Sequence, residues 1–255
     1  MSEHIWGRHA LISCLEHKPE LIIKVYREKD HEDKSFALHE SNKIQTFCEQ
    51  NGFSIEEAKQ VPRSVRERRH QGWAAEIKSF DIGNEHHFLE DWSKREINSD
   101  WVYLDRVQDV HNYGAIIRSA AAFGISGVIV GGKSQAPING SVAEISAGNL
   151  FAARHYSLNR PQKTLLENLG ENTWLGALDA RGADINETVQ ELKDQEPRSR
   201  IWVLGSESEG LSSWIKAGAQ SLVSLPIRDG VESLNVSNAA AITFFIAQKF
   251  RIESS

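Results

Sequence analysis

Near its C-terminal end the chain reads Ser233-Leu234-Asn235, where a glycine-bearing loop, Arg228-Asp229-Gly230, runs into the alanine-rich stretch Val236–Ala241. Hydroxyl and amide side chains at a loop-to-helix junction can orient a ligand's polar groups, and first-turn N–H groups without intrahelical partners attract anions. Two upstream segments share this character: Gly205-Ser206-Glu207-Ser208-Glu209-Gly210, and Asp109-Val110-His111-Asn112-Tyr113-Gly114 leading to Arg118. Each leaves an apolar, strand-like run, so the three loops read as one composite site. Glu207 is a hydrogen-bond acceptor, Asn112, Ser233 and Asn235 can orient hydroxyls, and Arg118 can grip a phosphate with two parallel bonds. Taken singly, each residue also has a plainer reading. Asn112, Ser233 and Asn235 are good helix caps, Glu207 suits the first turn of a helix, and Arg118 suits a helix surface.

These loops need a scaffold. From Trp101 onward, strand candidates at Trp101–Leu104, Gly127–Val130, Trp174–Leu178, Ile201–Leu204 and Leu222–Leu225 alternate with helix candidates. The helices fall at Tyr113–Phe123, Ser141–Asn149, Lys163–Leu169, Ile185–Lys193 and Val236–Phe250. Continuous apolar strands predict a mostly parallel sheet buried on both faces, which places the three loops beyond the strand C-termini, where such folds bind ligands. Residues 1–80 read as a smaller α/β unit, with helices at Gly7–Leu15 and Asn42–Gln50 and strands at Leu21–Tyr26 and Phe53–Ile55. Residues 81–99 have the composition of a linker, and 100–255 form the larger domain.

Composition narrows the class. The 255 residues are 40% hydrophobic and 25% charged, as in a globular protein, and no apolar run reaches the roughly 20 residues of a membrane span. No signal-peptide core is present, and the two cysteines, Cys14 and Cys48, lack metal-ligand spacing, so a cytoplasmic, metal-free protein is expected. A net charge of −6 weighs against a nucleic-acid partner, with one local exception: Arg63, Arg66, Arg68 and Arg69 crowd the segment before His70. Such a run is more often a solvated helix face or an inter-subunit contact. The stretch from Gly127 to Ser134 matches the phosphate-loop pattern, but Val128, Ile129 and Val130 are strand residues and Pro137 replaces the required helix.

Three blocks then carry a resemblance. Leu104 to Ala120, Val203 to Leu211, and Leu225-Pro226-Ile227 with Gly230 to Ala240 resemble the three motifs of the SpoU family of RNA ribose 2′-O-methyltransferases, within the SPOUT superfamily. Trp6-Gly7-Arg8-His9-Ala10 and His70-Gln71-Gly72 are similar to the L30e-like RNA-binding domain of bacterial members. The resemblance implies an α/β fold with a deep trefoil knot, a homodimer, and S-adenosylmethionine held by the backbones of Gly205, Leu225 and Leu234, with Leu178 a further contact. It implies catalytic roles for Asn112, Arg118, Glu207, Ser233 and Asn235, and an rRNA or tRNA substrate delivered through Arg63, Arg66, Arg68 and Arg69. Val110 stands where family members commonly carry Pro, which loosens the turn before Asn112 without removing a functional group. The rival expectation is a non-catalytic RNA-binding or ribosome-assembly protein that keeps the fold.

Overall fold

A computed structural model describes residues 2–29, 31, 37–80, 82–131, 135–170, 172–193, 199–228 and 230–253. Gly132, Lys133 and Ser134 of the rejected phosphate-loop match, and Asp229, lie outside the described residues. In chain order the elements begin β1 (Ser2–Trp6), α1 (Arg8–His17), β2 (Ile22–Glu28), α2 (Leu38–Asn51), β3 (Ile55–Ala58), β4 (Trp73–Lys78), β5 (Gly83–Asn84) and α3 (Glu85–Ser93). They continue with β6 (Asp100–Asp105), α4 (Val110–Ala122), β7 (Val128–Gly131), α5 (Gly140–Ile145), α6 (Asn149–Ala152), β8 (His155–Leu158) and α7 (Pro161–Glu167). The last are β9 (Thr173–Asp184), α8 (Ile185–Lys193), β10 (Ser199–Gly205), α9 (Ser213–Gly218), β11 (Ser221–Ser224) and α10 (Val236–Glu253).

The chain divides into two compact units, one of Met1–Asp81 with Pro137–Ala152, the other of Ile82–Ala136 with Ala153–Ser255. The first unit holds a four-stranded sheet ordered β1-β4-β2-β3, antiparallel except for the β2–β3 pair. Gly140 lets α5 approach β1: a Cβ there would meet the His4 carbonyl at 2.2 Å, and Trp6 Nε1 donates to Glu144 at 2.8 Å. The single helix expected over Ser141–Asn149 is broken, because Ala147 and Gly148 adopt φ of 52° and 83° and end α5. The arginine run is a series of turns rather than a helix face. Val61 and Val65 are its buried anchors, and Arg63, Arg66, Arg68 and Arg69 all stay exposed. Cys14 and Cys48 are buried free thiols, pushed up by burial to about 12 and about 11.

The second unit is a seven-stranded, all-parallel sheet ordered β11-β9-β10-β6-β7-β8-β5. Alternation along the strands sends Trp101, Tyr103, Ile201 and Val203 to one face, against Phe88 of α3, Leu165 of α7 and Ile215 of α9. Trp202 and Val223 face the other side, against Ile185 of α8 and Ala247 of α10. The stretch 81–99, expected to be a linker, carries β5 and α3 instead, and Phe88 and Trp92 are core residues. Its polar composition is the solvent face of an amphipathic helix whose first turn Asn84 caps.

One buried charge cluster ties the sheet to the last helix. Asp100, fully buried, accepts from Arg200 Nε at 2.6 Å, Trp202 Nε1 at 2.9 Å and Arg251 Nη1 at 3.2 Å. Arg251 also donates to the carbonyls of Phe123 and Gly124 at 2.8 and 2.9 Å, which fixes α10 against the end of α4.

His155 is buried too, and burial pushes its imidazole down to about 4. The unfolded ring takes a proton near pH 6.5, the folded one only near 4. This histidine therefore costs no stability above pH 6.5, progressively more as the pH falls, and a constant amount below about 4, of order 3 kcal/mol. Urea unfolding of His155→Gln between pH 7 and 4 should show a shallower loss of stability than the parent. Parallel pH profiles would remove His155 as the source.

Candidate active site

The three loops meet at the C-terminal edge of the parallel sheet. Asp109, not Asn112, caps α4: its Oδ1 accepts from His111 N at 2.7 Å, which frees the Asn112 side chain for other work. The Asn112 amide donates to Glu207 Oε1, and its Oδ1 accepts from Asn235 Nδ2 at 3.0 Å. Asn235 Oδ1 accepts from Ser237 N at 2.9 Å and Ser237 Oγ at 2.6 Å. The direction of this chain is forced. A carboxylate only accepts, so Asn112 must turn its NH₂ toward Glu207, its carbonyl toward Asn235, and Asn235 its own carbonyl toward the α10 N-terminus. Asn235 is thus a helix cap and a site residue at once, through opposite ends of one amide.

The loop 205–212 is held from beneath. Asp105, buried at the end of β6, accepts from Ser212 N and Ser212 Oγ, both at 2.6 Å. Arg106, in the left-handed region at φ 62°, pairs with Glu209 and donates to the Gly210 carbonyl at 3.1 Å. Ser206 and Gly210 exchange backbone bonds of 3.0 and 3.2 Å, and a Cβ on Gly205 would meet the Gly210 carbonyl carbon at 2.5 Å. Only glycine allows that closure. Asp105, Arg106 and Ser212 were not among the residues expected from sequence. The available signal was an aspartate directly following the apolar run Trp101–Leu104, where an unpaired carboxylate would be costly.

Beside this network lies a cavity of about 330 Å³ whose walls include Leu178, Asp179, Leu225, Arg228, Ser233 and Leu234. An irregularity in β9 makes room for it: Leu222 of β11 pairs with Ala177, yet the next residue, Val223, pairs with Ala183. The intervening residues leave the ladder and turn Leu178 and Asp179 into the cavity, while Gly182 allows contact too close for a side chain, its Cβ falling 2.4 Å from Leu222 backbone. Burial would raise the Asp179 carboxyl, but hydrogen bonds from Arg181 and Lys216 outweigh it and hold the group below its usual range.

Of the sequence-expected residues, the structure joins Asn112, Glu207 and Asn235 by hydrogen bonds and gathers Leu178, Leu225, Ser233 and Leu234 around the cavity. Gly205 shapes the adjoining loop rather than the cavity wall. Arg118 is exposed on α4 and makes no ion pair or hydrogen bond among the described residues. Six positions after Asn112 on a helix is about 120° around the axis, so it does not share the Asn112 face. Arg63, Arg66, Arg68 and Arg69 belong to the first unit.

A family model described as the SpoU rRNA Methylase family matches residues 101–245, from the second residue of β6 into α10, and includes all three loops. The chain belongs to the SpoU family. Its relatives include the 23S rRNA (guanosine-2′-O-)-methyltransferase RlmB of Bordetella pertussis, 30% identical over 246 residues, 94% of each chain. The RlmB of Haemophilus influenzae is 29% identical over 100% of both chains. In structure the chain is similar to the SpoU methyltransferase AviRb of Streptomyces viridochromogenes in complex with AdoMet, with a TM-score of 0.74 and 20% identity over 98% of this chain and 91% of that one. It is also similar to an AdoMet-bound rRNA methyltransferase of Sinorhizobium meliloti, with a TM-score of 0.71 and 20% identity over 97% and 87%. The alternation of strands and helices beyond Trp101 thus falls within the matched family region, and so do Asn112, Glu207 and Asn235.

Proposed function

We propose that this SpoU protein transfers a methyl group from S-adenosylmethionine to a ribose 2′-hydroxyl of structured RNA, rRNA or tRNA. The observation that carries the reading is the continuity of Ser233-Leu234-Asn235: Ser233 and Leu234 line the cavity, and the next residue joins the Asn112–Glu207 network. A cofactor and a sugar hydroxyl held by these neighbours would stand side by side.

The cavity fits the cofactor. Its walls combine Leu178, Leu225 and Leu234 with the loop residues Ile227, Arg228 and Gly230 to Ser233, which suits a flat heterocycle whose polar edge bonds to main chain. Bound there, S-adenosylmethionine would supply a methyl group on a cationic sulfur; as the new O–CH₃ bond forms the S–CH₃ bond breaks to leave S-adenosylhomocysteine, and the hydroxyl proton passes to solvent. The protein's task is therefore placement. Glu207 accepts from a ribose hydroxyl, Asn112 holds Glu207 in place, and Ser233 and Asn235 orient the sugar and the cofactor carboxylate. Arg118, exposed and unpaired by any described residue, takes the neighbouring phosphate and eases charge building up on the 2′-oxygen. A guanidinium stays protonated, so Arg118 acts as a clamp and not as the base.

Arg118→Lys, which keeps the charge and loses the fork, is expected to lower turnover at least tenfold in a tritiated-methyl assay. Near-normal turnover would remove the clamp. The whole reading is tested by calorimetry: S-adenosylmethionine should bind with measurable heat, and a silent titration would favour a non-catalytic RNA-binding scaffold. Mapping the 2′-O-methyl groups lost from total RNA of a deletion strain would name the nucleotide.

The same reading extends to the rest of the chain. Residues 100–255 act as the methyltransferase domain, with the chain around β9, β10 and β11 threaded as the SPOUT knot. Residues 1–80 act as an L30e-like RNA-binding domain, through the exposed Arg63, Arg66, Arg68 and Arg69. Ile242 and Phe245 are 41% and 48% exposed on α10, Phe245 standing 5.9 Å from the Phe123 ring, and this apolar stripe supports a homodimer. Among the described residues no helix is long and apolar enough to cross a membrane. A cytoplasmic enzyme is the setting this reading implies.

A further inference from the structure

We infer that the second unit carries a groove for single-stranded RNA next to the reactive loops, in which Trp214 stacks on a base while Arg160 and Lys163 hold flanking phosphates. The inference rests on the RNA reading above and adds a binding surface to it.

Two neighbouring cavities share Arg160. One, of about 380 Å³, is lined by Asn84, His86 and Asn159 among others, and the second, of about 510 Å³, by Gln162, Lys163 and Trp214. Their place follows from the topology. Asn84 ends β5, Arg160 follows the end of β8 at Leu158, and both strands run parallel to β6 and β10. The groove therefore opens on the sheet edge that carries Asp105 and the loop after Gly205. Trp214 stands two residues beyond Ser212, the residue Asp105 holds.

The chemistry of the lining is that of a nucleotide site. The Trp214 indole is fixed by Tyr103, ring centroids 6.0 Å apart, yet is only half-buried and lines the cavity. A stacking surface of this kind accepts any base. Glu85 pairs with the Arg160 guanidinium only at long range. Its carboxylate is occupied by Arg160 N at 3.2 Å and Thr164 Oγ1 at 2.7 Å, while the guanidinium lies 4.0 Å away with its side chain 70% exposed. Lys163 is exposed and makes no ion pair among the described residues. Glu167 is the single carboxylate among the described residues lining the second cavity. In a chain of net charge −6, two cations beside an aromatic face and three side-chain amides match a phosphate backbone with its bases turned inward.

The test uses the full chain and a fluorescein-labelled dodecamer of uridylate, followed by anisotropy from low to high salt. Arg160→Glu/Lys163→Glu should weaken binding at least tenfold and flatten the slope of log K against log salt by about 1.4, at ~0.7 for each single-strand phosphate that the protein ceases to neutralise. Trp214→Leu should weaken binding without altering the slope. Arg160→Lys/Lys163→Arg keeps both charges and should keep the slope, which guards against misfolding of the charge-reversed protein. In the methylation assay the reversed variant should raise KM for RNA and leave saturated kcat and S-adenosylmethionine affinity unchanged. A parent that ignores the dodecamer, or a reversed variant with the parent's slope and KM, would overturn the groove. The catalytic reading fails separately, through a silent calorimetric titration.

Discussion

Asn112→Ala will lower kcat by about two to four orders of magnitude and leave the melting temperature within a degree or two of the parent. The asymmetry follows from where the side chain sits. It is half-buried at the sheet edge, supports no core packing, and caps no helix, since Asp109 already fills that role. Yet it is the node between Glu207 and Asn235, bonded to each. Without it Glu207, exposed on its loop, loses the partner that aims it, and the Asn235 amide loses its only acceptor beyond α10 among the described residues. The effect should be non-additive: Asn112→Ala/Glu207→Ala should be scarcely slower than Glu207→Ala alone, because both changes disable one unit. Single-turnover methyl transfer to a saturating RNA substrate is the measurement. Additive losses would mean that the two residues act independently and that the hydrogen-bonded chain has no role in the chemistry.

The largest stability effect should come from a residue outside the site. Asp100→Ala removes a buried carboxylate that pairs with Arg200 and Arg251 and accepts from the Trp202 indole N–H, and takes that partner from cationic groups in the sheet interior. Breaking a buried ion pair from one side typically costs about 3–5 kcal/mol, a fall in melting temperature of roughly 10 °C for a unit of this size. Asp100→Asn keeps the shape and an acceptor for Trp202 but not the charge, so it should fall between. Arg251 also bonds the carbonyls at the end of α4, so loosening it should free the C-terminal turns of α10 first. Hydrogen exchange in Asp100→Ala should rise earliest there. Unchanged thermal unfolding would show that hydrophobic packing of α10 alone holds this corner.

Much of the second unit could be read directly from its residues. Five apolar runs between Trp101 and Leu225 all became strands, because a strand buried on both faces has almost no freedom in composition. Shorter and more polar elements escaped. His155–Leu158 is a strand of four residues with a serine in it, and Gly83–Asn84 is two residues long. Neither carries a period that can be told from a loop, and both are specified by the ladder they join. The expected linker failed for a related reason: α3 shows the core Phe88, Trp92 and part of Leu89, and the charged and polar residues around them read as solvent-exposed chain. Net charge misled in the same way, since −6 describes the whole surface while RNA binding asks only about a patch.

What the residues determined alone was the chemical inventory: an acceptor, amides, a hydroxyl and a guanidinium on three loops, in an order that the SpoU family shares. Which of them touch, and in what direction, was decided only by tertiary structure. Asn112, Glu207 and Asn235 are brought together by parallel pairing of β6 with β10 and by the return of the chain to α10, bonds across 95 and 123 positions. The clamp of Asp105 on Ser212 spans 107 more. Local propensity carries no information over such separations, because each bond exists only where a buried sheet has already placed both partners within reach.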